Sequence, residues 1–138
     1  MIDLDTARAS FFTAFQSIWN NRTPVAWQNA TSNTAPPADG SEWIRATLIH
    51  TTGGQNTLGP ADGAQEHRAT GTIFVNIFVP LNAGVLRADE LAREAYDALI
   101  GMPGGLIMRN QRVNETGATD DGWFQVDVLA DFYYDFVR

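Results

Sequence analysis

His50 and His67 are the only imidazoles in the chain, and Asp62 and Glu66 stand close to the second of them. Histidine changes charge near neutral pH and ligates metals, so a group at 62, 66 and 67 holds the elements of acid–base or metal-assisted hydrolysis. Its spacing matches no metal cage. There is no G-x-S-x-G elbow to present a serine nucleophile, and neither H-E-x-x-H nor a calcium-binding loop is present. The phosphate-cradling G-x-G-x-x-G is absent too, and a P-loop needs the lysine that this chain lacks. With no cysteine, disulfides, thiolate metal sites and cysteine nucleophiles are excluded. The reading is a protein with no catalytic residue, no metal and no cofactor. A small hydrolase or metal-dependent enzyme using His50 or His67 is the remote alternative, and a monomeric ligand-binding module is another.

A second set of charged groups invites a different kind of chemistry. Asp127, Asp131 and Asp135 recur at intervals of four. On a helix they would stack and repel; on a strand neighbouring members lie about 13 Å apart and the repulsion is largely screened. The strand reading puts Phe124, Val126, Val128, Ala130, Phe132, Tyr134 and Phe136 on one side. The aspartates then share the other side with Trp123, Leu129 and Tyr133. That mixed side is open to two readings. It is a solvated sheet face with incidental apolar residues, or a sheet back packed on another subunit, with Asp127 and Asp131 meeting arginines such as Arg45, Arg109 or Arg112. Trp27, Trp43 and Trp123 are the aromatic anchors such a contact would use, with service in the core as the competing role of each.

Composition narrows the partners. The net charge of −7 speaks against nucleic acid as a bound partner, which requires a clustered positive patch. All nine basic residues are arginines, suited to fixed bidentate contacts, although codon bias in the source genome yields the same composition. An apolar fraction of 44% over 138 residues predicts one domain, 1–138, with a core of its own. The acidic start MIDLDTARAS does not read as a signal peptide, and no apolar run approaches the roughly 20 residues that cross a bilayer. A soluble, intracellular protein is expected.

The elements that must position these groups follow from periodicity. Leu4, Ala7, Phe11, Ala14, Phe15 and Ile18 form one helical stripe over residues 3 to about 20, widened by Phe12 and Trp19. Residues 21–42 are polar and turn-rich, with Val25-Ala26-Trp27 as a short edge strand. Trp43–Thr52 reads as the first full strand, and 53–67 as a mobile, glycine-rich loop. Residues 68–80 alternate Ile73, Val75, Ile77 and Val79 against Thr70, Thr72, Phe74, Asn76 and Phe78, which marks the central strand. A helix over Leu86–Ile100, a strand over Gly105–Glu115, a turn over 116–122 and a last long strand from Trp123 complete the chain. A bulge near Ala130 is expected to bend that last strand. The fold class is α+β: an antiparallel-rich β-sheet with two helices packed on it and long inter-strand loops.

These spacings form a familiar pattern. An aromatic first helix ends near a tryptophan and a proline, Trp43-Ile44-Arg45 opens a strand, and Gly71-x-x-x-Val75-x-x-Phe78-x-Pro80-x-x-x-Gly84 precedes the second helix with Ala88, Leu91 and Ala92. A final strand runs from Trp123 to Phe132-Tyr133-Tyr134. The chain resembles the tail-terminator (tail-completion) proteins of long-tailed bacteriophages and prophages. The resemblance implies a structural protein of the virion, made in the host cytoplasm. It would form a ring, usually of six subunits, that caps the tail tube, ends its polymerisation and offers the docking surface for the head connector protein. Its partners would be copies of itself, the tail tube protein and the head connector, with no membrane. DNA would pass through the ring without specific binding, which the negative charge suits. Another phage neck or head–tail joining protein is the alternative within the same class.

Overall fold

The computed structural model describes residues 4–20, 22–28, 37, 40–55, 66–82, 84–102, 105–119 and 121–137. Helix α1 (Leu4–Trp19) is followed by strands β1 (Val25–Trp27), β2 (Trp43–Gln55) and β3 (Glu66–Pro80). Helix α2 (Val85–Ile100) and strands β4 (Ile107–Ala118) and β5 (Trp123–Val137) complete the order. The five strands form one mixed sheet, β1-β2-β3-β5-β4, in which only the β1–β2 pairing is parallel. The α+β, mostly antiparallel architecture expected from periodicity is therefore the one observed.

Both helices pack on the same face of the sheet. Ala7, Phe11, Phe15 and Trp19 of α1 and Ala88, Leu91, Ala92, Ala95 and Leu99 of α2 bury against alternate residues of three strands: Ile44, Ala46 and Leu48, then Ile73, Val75, Ile77 and Val79, then Val126, Val128, Ala130, Phe132 and Tyr134. The short alanine side chains let α2 approach the sheet closely. An ion pair ties the start of β2 to the start of α2, with Arg87 Nε donating to Glu42 Oε2 over 2.8 Å. At Gly84, φ is +86°, a left-handed conformation that L side chains rarely adopt, and this sets the exit from the β3 turn into α2.

Three expectations change. The stretch 53–67 was expected to be loop from end to end, yet Gly53, Gly54 and Gln55 pair with Ala69, Arg68 and His67. Phe136 and Asp135 of β5 continue the ladder beyond His67 and Arg68, and a paired neighbour on the far side overrides the weak strand preference of a Gly-Gly pair. Residues 56–65 lie outside those described. The strand β4 runs on to Ala118, so the expected turn from 116 shortens to 119–122, closed by Gly122 N donating to Thr119 O. The bulge expected on β5 near Ala130 is absent from that strand, whose register with β3 is unbroken. The extra residue lies on the facing strand: Arg109 pairs with Asp131 and Arg112 with Leu129, so Asn110 and Gln111 stand opposite Ala130, with Asn110 at φ +58°. A strand held on both sides keeps its register, and the edge strand absorbs the mismatch.

Candidate functional site

The face of the sheet away from the helices carries the charged and aromatic residues singled out by the sequence. Cross-strand register arranges them in rows. Trp43 and Phe78 pair at one end; Arg45, Asn76, Asp127 and Asn114 form the next row, then Thr47, Phe74, Leu129 and Arg112, then Ile49, Thr72, Asp131 and Arg109, then Thr70, Tyr133 and Ile107. Apolar and polar rows thus alternate across a face that neither helix covers.

At the first row Trp43 stacks on Phe78 with ring centroids 4.3 Å apart, and Trp123 meets Trp43 edge-on at 6.1 Å. Ala26 of β1 completes this small apolar cluster, separate from the main core. The Arg45 guanidinium lies 5.3 Å from the Phe78 ring and donates to Asn76 Oδ1 at 3.2 Å. A groove of about 410 Å³ at the other end of the face is lined by Arg68, Thr70, Thr72, Arg109, Asp131 and Tyr133 among others. There Arg68 and Arg109, from the strands on either side of β5, sit 4.3 and 4.5 Å from the Tyr133 ring. Cations over aromatic faces fix the long arginine side chains and keep them extended over the sheet.

The three aspartates are engaged within their own chain. Asp127 Oδ1 accepts from Asn76 Nδ2 and Gln125 Nε2, and its other oxygen from Thr116 Oγ1. Asp131 accepts from Thr72 Oγ1, Asn110 Nδ2 and Arg112 Nη1, and the Asn110 bond foremost holds its carboxyl below the usual range. Asp135 takes a two-point bond from Arg68, at 2.7 and 3.0 Å, which lowers its carboxyl likewise. Of the arginines named with them, Arg112 reaches Asp131 in the same chain. Arg45 and Arg109 lie on the same face and form no ion pair among the described residues.

Trp27 sits elsewhere. It pairs in register with Ala46 on the helix-covered side, and its ring meets Phe12 at 5.1 Å and Phe15 at 6.4 Å, at the margin of the main core. The residues of this face that the sequence reading left undecided or passed over are Phe78, Asn76, Thr72 and Arg68. The signal for them was the threonine, asparagine and phenylalanine side of β3, whose period of two put all of them opposite the aliphatic side.

The histidines lie on the helix side, near the far end of the sheet. His50 Nε2 and Tyr134 Oη share a hydrogen bond of 2.7 Å, and the imidazole packs edge-on to Phe132. His67 stacks on Phe136 at 5.5 Å. Among the described residues no three His, Asp or Glu side chains gather as a metal cluster, and Asp62 lies outside those residues. Burial first, and then the charge of Arg8, lowers the His50 imidazole from its ordinary value of 6.5. The unfolded chain therefore binds this proton at a higher pH than the folded one, so the contribution is complete above 6.5 and is lost as pH falls from there through the lower value of the folded chain. Urea midpoints taken from about pH 8 to about pH 5 should decline from the mid-sixes downward, with the slope reduced in His50→Gln.

Residues 6–129 match the family model of the phage tail terminator protein, a span that holds most of α1, all of α2, the Gly71-to-Gly84 passage and the Trp43, Arg45 and Thr47 rows of this face. The chain belongs to the phage tail terminator family. It is thus a structural protein of the phage tail, and a component of the virion that works through contacts with other tail or head proteins. No curated protein matches the chain. Solved structures share the fold, one of them with a TM-score of 0.66 and 24% identity over 99% of this chain and 98% of that one. Within the tail-terminator motif each position now has a physical task. Gly71 admits the Phe132 ring, Val75 is buried in the main core, Phe78 carries Trp43, Pro80 closes β3 and Gly84 turns into α2.

Proposed function

We propose that this tail terminator assembles into a closed ring, of six copies by family resemblance, on the end of the tail tube, where it stops further tube addition and presents a docking surface to the head connector. The observation that carries the reading is the uncovered sheet face, on which Trp43, Phe78 and Trp123 form an apolar cluster of their own beside Arg45. Aromatic and arginine side chains dominate contact energies between proteins, and a ring needs each copy to offer two different surfaces. Trp43, Trp123, Arg45, Arg109 and Arg112 are its proposed contact residues. Asp127 and Asp131 hold that surface in shape through their bonds within the chain. DNA passes through such a ring without a basic surface to retain it, in keeping with the net charge of −7.

Mass measurement over a range of concentrations, combined with negative-stain imaging of the protein alone and with tail tubes, tests the reading. Rings of uniform size, or tubes capped at one end, are the expected result. A strict monomer at high concentration that leaves tubes uncapped would overturn it.

A further inference from the structure

The aromatic cluster at the Trp43 end borders a groove of about 460 Å³ lined by Trp43, Arg45, Phe78, Asp121, Trp123 and Gln125. Among the described residues, two donors at this groove lack the acceptor that their chemistry calls for. Trp43 is only 8% exposed, and its Nε1 is buried with no hydrogen-bond partner among the described residues. A buried donor left unsatisfied is costly. Arg45 bonds through Nε to Asn76 alone and forms no ion pair among the described residues. The occupant that fits brings an apolar side chain for the rings and a carboxylate for the cation.

The chain carries such a segment. At the start of α2, Val85 and Leu86 are 54% and 70% exposed, and Leu86 has the largest exposed fraction among the large apolar residues described. One turn on, Asp89 is exposed and forms no ion pair among the described residues. Groove and segment lie at the same end of the sheet on opposite faces, since Phe78 is two residues from the end of β3 and the Arg87–Glu42 pair joins α2 to the residue before Trp43. A copy using its Val85–Asp89 segment on a neighbour's groove leaves its own groove free for the next copy, at one level.

We propose that the groove between Trp43, Phe78 and Trp123 receives the Val85–Asp89 segment of a second copy of this chain. Leu86 seats on the rings and Asp89 pairs with Arg45. The contact is heterologous, and its repetition closes a ring or extends a filament according to the rotation per copy. The proposal rests on the assembly reading above, and it deepens that reading by naming the two surfaces.

The native absence of cysteine makes a clean test available in the full chain. Leu86→Cys and Asp121→Cys are exposed positions, one on the segment and one at the groove. Mixed and oxidised, the two variants should give a covalent dimer that neither gives alone, and the double variant L86C/D121C should give a ladder of multimers. In a parallel arm, Arg45→Asp and Asp89→Arg should each weaken assembly about tenfold or more, and R45D/D89R should restore most of it. Rings that form without this cross-link or this charge rescue would overturn the inference while the assembly reading stands. Failure of the native chain to assemble, with no cross-link at high concentration, would overturn both.

Discussion

Replacing Gly71 with alanine should cost the protein about 3 kcal/mol or more, enough to leave much of it unfolded at ordinary temperature. Gly71 lies in the central strand, paired with His50 on one side and Phe132 on the other. A Cβ built there runs into the backbone carbonyl of Ile49 and comes within 2.6 Å of Phe132 Cζ. The phenyl ring can give way by changing rotamer. The carbonyl cannot, because it belongs to a strand held in register just before the bulge between His50 and Thr52. Urea unfolding monitored by tryptophan fluorescence measures the effect. Gly54→Ala is the control, since a Cβ there meets nothing within 4 Å and should leave the midpoint nearly unchanged.

The second large effect belongs to Trp19. It is 1% exposed, stacks on Phe15 at 5.6 Å and donates from Nε1 to Thr23 Oγ1 at 3.2 Å. Outside the helix end, the Arg22 guanidinium lies 5.4 Å from the same ring. Trp19→Ala opens a cavity under the C-terminus of α1 and should cost about 3–5 kcal/mol. Trp19→Phe keeps most of the packing and loses the hydrogen bond, for about 1 kcal/mol. Thermal unfolding of both variants separates the two contributions. A loss in the alanine variant no larger than in the phenylalanine variant would mean that the indole contributes little beyond its bond to Thr23.

Trp19 also shows how the sequence informs and where it stops. The spacing of Ala7, Phe11 and Phe15 is the i, i+4 signature of a buried helical stripe, and Trp19 simply extends it by another turn. The strands were legible for the same reason, since Ile73, Val75, Ile77 and Val79 allow only one side to face the core. Where two strands meet was less legible. Gly53 and Gly54 have no preference for extended structure, and only the presence of β3 alongside makes them strand. The placement of the bulge depends on the competition between an edge strand and a strand bonded on both sides, which one segment read alone cannot reveal.

The mixed face shows the same division. That Asp127, Asp131 and Asp135 share a side with Trp123, Leu129 and Tyr133 follows from a period of two. Their partners do not follow, because Thr72, Asn76 and Arg68 reach them from β3, more than fifty residues earlier in the chain. Trp27 and Trp43 look alike in sequence, each at one end of a strand. Register separates them, with Trp27 opposite Ala46 on the helix side and Trp43 opposite Phe78 on the open side.

The irregular strand β4 has a bearing on how a sheet of this kind behaves among many copies of itself. An outermost strand with evenly spaced amides is a template on which another strand can add, and then another, without limit. Here two extra residues interrupt the ladder, between Arg109 and Arg112 and between Glu115 and Gly117, and Asn110 turns left-handed at the first. On the opposite margin, Gln28 Oε1 already accepts from the Leu48 amide just past the end of β1. A structural protein of the phage tail is thus built with sheet margins that resist runaway strand-by-strand growth.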